Sequence, residues 1–300
     1  MSSIEITEKI SFSGWDNCIR MRNDQVELIV TTDIGPRIIY FGFREGENLL
    51  YVNQEHAGKQ GGNEWRIYGG HRLWLSPEIY PITFTPDNDP VFYRTDGEKL
   101  ILTQQEDALT GVIKEIEISL RHDSNEVSLV HRLIKNSKNE IEVAPWAITA
   151  FAQNGHVIIP QEPYIDENDY YLPARPIVLW HYTKMNDHRL NWGNKFIIAR
   201  QDPTCASPQK FGVLNKKGWS AYLLHDQLLV KKFEYIKEKI YPDFGCNNEV
   251  YLNDKLIEVE SLGPLSILQT GTCVTHKEIW VLSKVNFSNP SEDVLSGYFS

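Results

Sequence analysis

Three hundred residues, 41% hydrophobic and 11% aromatic, can bury a sizeable core and are too apolar for a disordered chain. A net charge of −10 sets a field that repels phosphate backbones and anionic lipid, so neither nucleic acid nor membrane is an expected partner. No run reaches ~18 uninterrupted apolar residues, and the opening MSSIEITEKISFSGWDNC carries acids without an apolar signal core, so a cytoplasmic protein is expected.

In chain order, the elements alternate between apolar and polar residues rather than cycling at 3.6. VELIVTTDIGPRIIYFGF reads as a strand, a break at Gly35-Pro36 where no ladder continues undisturbed, and a second run from Arg37 to Phe43. KLILTQQ follows as a short strand. In KEIEISLRHDSNEVSLVHRLI, Ile116, Ile118 and Leu120 share one face and Glu115, Glu117 and Ser119 the other; Val127, Leu129 and Leu133 repeat the pattern after a polar turn, which predicts a hairpin. VAPWAITAF, HVIIP, KFIIARQ, KFGVLNKKGWSAYLLHDQLLVKKF, NEVYLNDKLIEVESLG and KEIWVLSKV continue the series to at least a dozen strands. The best helical signal is YIKEKI near Tyr235, equally readable as a strand end, and PQEPYIDENDYYLPARP reads as a loop insertion. An all-β protein is predicted, one large antiparallel domain over residues 1–300.

Chemistry concentrates in two stretches. EWRIYGGHRLWLSPE places Trp65 and Trp74 beside Arg66, His71, Arg72 and Glu78, with Gly69 and Gly70 permitting close backbone approach. Stacking rings beside planar hydrogen-bonding groups suit a pyranose, with its apolar C–H faces and hydroxyl rim; a strand-edge loop with core rings and mutually paired charges is the alternative. In IEVESLGPLSILQTGTCVTHKEIWVL, Glu258 and Glu260 share a strand face among apolar neighbours, where burial would raise a carboxyl toward general-base range; a solvated pair is again the alternative. Asp243 and Glu249 in YPDFGCNNEVY, and Lys231 and Lys232 in LLVKKFEY, are weaker clusters that matter only if the fold gathers them. Cys18, Cys205, Cys246 and Cys273 form no C-x-x-C pair and His181 and His188 no compact ligand motif, so reduced thiols and no metal are expected.

Together these stretches resemble the galactose mutarotase-like (aldose 1-epimerase-like) superfamily. VELIVTTDIGPRIIYFGFREGENLLY resembles its first hairpin with the G-x-N-L-L turn, YGGHRLW its His-Gly-Gly segment, and VESLGPLSILQTGTCVTHKEIWVL its closing strands; GGHRLWLSPE with ESLGPL is similar to a bacterial branch. The resemblance implies a supersandwich of large, twisted antiparallel sheets with a sugar groove on a concave face. It implies cofactor-free acid/base chemistry in which Glu260 takes the anomeric proton, and it puts His71 at the substrate-binding histidine. The family's acid histidine is missing: its strand reads EVAPWAITAFAQ, with Trp146 or Thr149 in the expected place, and His156 lies too far along to be equivalent. His71 is therefore the candidate acid.

Two functions follow, an aldose 1-epimerase-type isomerase and a non-catalytic carbohydrate-binding protein that keeps the groove. In both, Trp65, Trp74 and Trp146 are expected to stack on the sugar, and Arg37, Arg66, Arg72, Glu78, Lys232 and Asp243 to bind it. Convergence of Arg66, Arg72 and Lys232 would favour an acidic or phosphorylated sugar. The expected state is a monomer or homodimer.

Overall fold

The computed structural model describes residues 4–299. Two large antiparallel sheets pack face to face. The first has eleven strands, running in spatial order Glu5–Phe12, Trp15–Arg22, Val26–Thr31, Arg37–Phe43, His71–Ser76, Ile141–Phe151, Ile257–Leu262, Asn248–Leu252, Gln209–Val213 and Ile177–Leu179, with Ser266–Leu268 also pairing to Ile141–Phe151. The second has ten: Leu190–Trp192, Phe196–Arg200, His156–Pro160, Trp219–Leu224, Gln227–Phe233, Cys273–Lys284, Glu126–Lys135, Val112–Leu120, Lys99–Thr103 and Phe92–Asp96.

Alternation builds the core. In the predicted hairpin, Ile116, Ile118, Val127, Leu129 and Leu133 point inward and join Leu73, Phe151, Phe211, Val250 and Val259 of the facing sheet in one apolar cluster. The outward face of the same hairpin is polar, with Arg132 bridging Glu115 at 2.9 Å and Glu117 at 2.7 Å. Every long run predicted as a strand is one.

The YIKEKI segment is not helical and not a strand. After Gln227–Phe233 the chain turns, because Glu238 takes a left-handed φ of 66° and the Ile236 amide is spent on the Tyr241 hydroxyl at 2.8 Å. The helix of any length lies instead near the C-terminus, Glu292–Tyr298, where the Ser291 hydroxyl accepts from the Val294 amide at 3.3 Å. Residues 161–176 carry no strand, as expected of an insertion.

Candidate functional site: a groove on the outer face of the eleven-stranded sheet

Strand register assembles the site. Arg72 pairs across to Ile148, Ile148 to Glu260, and Glu260 to Glu249, so these residues form a row across four strands. A second row runs from Ala150 to Glu258, then Tyr251, then Lys210. A third joins Trp74, Trp146 and Leu262. Because side chains alternate along each strand, these positions face away from the inter-sheet core while Leu73, Thr149 and Val259 face into it.

The rows close a cavity of about 200 Å³, lined by Arg72, Trp74, Glu78, Trp146, Tyr182, Lys210, Glu258 and Glu260 among others. That is smaller than a drug-sized pocket and on the scale of one sugar ring. Trp74 packs edge-on against Trp146 and Phe84, with centroids 5.6 and 5.5 Å apart, and Trp65 covers Trp74 at 5.8 Å, making an aromatic wall.

Opposite that wall lies the charge. Lys210 reaches Glu260 at 3.1 Å and Glu249 at 3.0 Å, and its ammonium sits over the rings of Trp146 and Trp180 at 4.5 and 4.8 Å. Burial opposes its charge, but Glu260, Glu249 and Glu78 outweigh burial and hold its pKa above the ordinary lysine value. Lys210 is the one polar partner that fully buried Glu249 has among the described residues. Burial, with Glu260 nearby, pushes the Glu249 carboxyl well up. Gly212, opposite Glu249 in the register, leaves it room: a Cβ there would stand 3.2 Å from the Glu249 side chain and 2.5 Å from the Cys246 sulfur.

Glu260 also accepts from the Trp146 indole at 2.7 Å. Glu258 is held more loosely, 3.7 Å from Arg72, whose guanidinium lies 4.0 Å over the Trp74 ring. Burial raises the Glu258 carboxyl to about 7, against the pull of Arg72 and with the push of Glu260. Glu78, an exposed residue whose carboxyl is partly desolvated against the groove, is likewise raised, against the pull of Lys210.

Of the residues expected at a sugar site, Trp65, Arg72, Trp74, Glu78, Trp146 and Glu260 meet in this cavity. His71, Arg37, Arg66, Lys232 and Asp243 do not line it. His71 follows Gly70 on the opposite face of its strand from Arg72 and is fully buried between the sheets. Arg37, also fully buried, binds the Gly69 carbonyl and the Asp87 carboxylate behind the YGGH turn. Arg66 turns to the Gly61 carbonyl at 2.8 Å and the Tyr68 hydroxyl at 3.1 Å. Lys232 is exposed on the other sheet, and Asp243 sits behind Ser76 at 3.4 Å. The two glycines approach their own chain: a Cβ on Gly69 would stand 2.2 Å from the Tyr51 carbonyl oxygen, and one on Gly70 2.2 Å from that of Ile38. Lys210, Tyr182 and Tyr251 escaped the sequence reading; a lysine between Gln209 and Phe211 carries no local mark of a site.

Behind the groove lies a second polar cluster, closed off from solvent. The His131 Nδ1–H donates to the His276 carbonyl at 3.1 Å, which leaves its Nε2 to accept from the His71 Nε2–H at 2.7 Å. His71 Nδ1 then accepts from the Thr149 hydroxyl at 2.9 Å, and Lys231 donates to that hydroxyl at 2.6 Å. Lys231 pairs with Glu278 at 3.1 Å, and the same carboxylate receives Ser261 at 2.6 Å and the Trp280 indole at 2.8 Å. Burial lowers the Lys231 ammonium and Glu278 raises it in part; with three donors on its carboxylate, the pair is ionised. Despite its burial, the Lys231 ammonium holds Glu278 far below the usual carboxylate range. Burial depresses all three imidazoles, His276 to about 3. Atoms of His71, His131 and Glu278 lie within 4.8 Å of one another, near enough to face a single metal ion, but each is already hydrogen-bonded and the Lys231 ammonium supplies the positive charge. His156, on the far sheet, is pulled down to about 4 by burial and does not approach the groove.

Two packed antiparallel sheets with a groove on the outer face of one define a β-sandwich in architecture. Its fold is the galactose mutarotase-like one. A galactose mutarotase-like protein from Lactobacillus casei superposes with a TM-score of 0.59 at 9% identity, covering 89% of this chain and 100% of that one. Another from Clostridium acetobutylicum gives 0.53 at 11% identity, covering 94% and 99%. A TPR-domain containing protein from Parabacteroides distasonis gives 0.61 at 14% identity, covering 97% of this chain and 54% of that one, so this chain spans about half its length. No protein-family model and no curated protein matches the chain in sequence.

Proposed function

We propose that the groove binds a monosaccharide and interconverts its anomers, with Glu260 as base and Glu258 as acid. The observation that carries this reading is the placement of both carboxyls on one strand face, beside an aromatic wall, with different environments. Glu260 is held by Lys210 and Trp146 as a hydrogen-bond acceptor, whereas Glu258, raised to about 7, keeps a proton available near neutrality. Glu260 takes the anomeric O–H proton, the C1–O5 bond breaks as C1 becomes an aldehyde, and O5 receives the Glu258 proton. Rotation about C1–C2 and the reverse steps close the ring on its other face. Glu258 replaces His71 as the acid in this scheme, because both ring nitrogens of His71 are spent inside the core.

Proton NMR on freshly dissolved α-glucose and α-galactose tests it: the protein should speed the approach to equilibrium, and Glu260→Gln should lose about a hundredfold or more of that rate. Undiminished turnover in Glu260→Gln would remove the assignment. A second reading, a carbohydrate-binding protein without turnover, is favoured by Trp146, which stands on the central strand and occupies Glu260 at 2.7 Å. Line broadening of a sugar without any acceleration would decide for it.

A further inference from the structure

We infer that the groove takes the reducing end of an oligosaccharide, the end ring filling the cavity and a second ring, linked through O4, stacking on Tyr80 outside it. This rests on the sugar-binding reading above and adds the substrate class.

The cavity of about 200 Å³ holds one ring, yet the aromatic wall does not stop where the cavity does. Trp146 and Trp74 are 3% and 4% exposed; Trp74 meets Phe84 at 5.5 Å, and Phe84 meets Tyr80 at 6.1 Å, where exposure reaches 82%. Tyr80 stands beyond the cavity lining, so the rings form a track that leads out of the groove.

The track leaves on the side where a second ring would be attached. Glu258 and Glu260 lie on Ile257–Leu262, and Trp74 lies two strands away on His71–Ser76, about 10 Å across the sheet. A pyranose that turns its C1–O5 edge to the two carboxyls turns the opposite edge, with O4, toward Trp74 and the loop that leaves this strand at Ser76. Tyr80 is on that loop.

The loop is tied down. The Ile79 amide donates to the Thr83 hydroxyl at 2.9 Å, that hydroxyl donates to the Pro77 carbonyl at 3.2 Å, and the Thr83 amide donates to the Ile79 carbonyl at 2.8 Å, with Thr83 itself buried. Tyr80 therefore presents its ring from a fixed turn, and stacking on it costs little backbone ordering. Glu78, two residues earlier, lines the cavity and makes no hydrogen bond among the described residues, so its oxygens can accept from hydroxyls where the two rings join.

Titration calorimetry with glucose, maltose and cellobiose, and with galactose and 1,4-linked galactobiose, reads the second ring. At least one disaccharide should bind about tenfold tighter than its monosaccharide. In Tyr80→Ala the disaccharide-to-monosaccharide ratio should fall to near one, and Tyr80→Phe should keep it, because the ring and not the hydroxyl makes the contact. Disaccharides binding no tighter than monosaccharides, or a ratio unmoved by Tyr80→Ala, would overturn the inference while leaving sugar binding in place. If none of the five sugars binds, the sugar reading falls and this inference with it.

Discussion

The strands His71–Ser76, Ile141–Phe151 and Ile257–Leu262 carry polar side chains on both faces, and the two faces differ in how those side chains are spent. On the inner face, His71, Thr149 and Ser261 join His131, Lys231, His276 and Glu278 in a network where donors and acceptors match and a single ion pair balances its charge. On the outer face, Glu258 is weakly paired, Glu78 has no ion-pair or hydrogen-bond contact among the described residues, and Glu249 has Lys210 as its one polar partner. A buried network with no valence left over holds two sheets together; a groove with valences left over is prepared for something else. A histidine in a motif is therefore a weak pointer to a site, and an unspent carboxyl a better one.

Acid should separate the two faces most sharply. The folded protein keeps His71, His131 and His276 neutral, with pKa values depressed by burial, while the unfolded chain protonates each below about 6.5. The unfolded state then binds more protons, so the inner face costs stability as pH falls, by about 1.4 kcal/mol per pH unit for each histidine. The outer face has the opposite sign: Glu258, raised to about 7, binds its proton first in the folded state and regains stability on the way down to about 4.5. Glu249 and Glu78, also raised, share that sign and offset the histidines down to about pH 4.5. Below it the raised carboxyls are protonated in both states while His71 and His276 go on costing stability, so urea denaturation at pH 5 and pH 4 should show a net loss of several kcal/mol at the lower pH. A flat profile would mean that the imidazoles are not held neutral together.

Next in size is Glu278→Gln. It leaves the Lys231 ammonium buried without its counter-charge and should cost about 3–5 kcal/mol at pH 7 by denaturant midpoint. A loss under 1 kcal/mol would show that the pair is not the centre of the network.

The smallest effect should come from the groove. Glu258→Gln removes a carboxyl whose ionisation burial resists, at the cost of the loose Arg72 contact. The variant should be more stable than the native protein by about 1 kcal/mol at pH 8, with the gap closing at pH 5. Destabilisation at pH 8 would mean that Glu258 serves the fold and not the site.

Part of the site was legible because it lies within single strands. Glu258 and Glu260 sit two apart and had to share a face, and Trp74 with Arg72 likewise shares a face, which the cavity confirms. His71, one residue from Arg72, had to face the other way, and Lys231 and Lys232 divide the same way, one fully buried and one exposed. Which member of each pair looked outward was not legible. Lys210 was invisible because it meets Glu260 only across the intervening strand Asn248–Leu252, through a register that no local pattern encodes.

By itself the sequence determined the β class, the positions of the longer strands and which residues would share a face, because a period of two is a property of each strand alone. Only the tertiary structure decided which face became core and which became groove, and which distant strands brought Lys210, Glu249 and Glu260 together. Those outcomes depend on pairings between segments far apart in the chain, and a shift of one residue in any of them exchanges every inward side chain for an outward one.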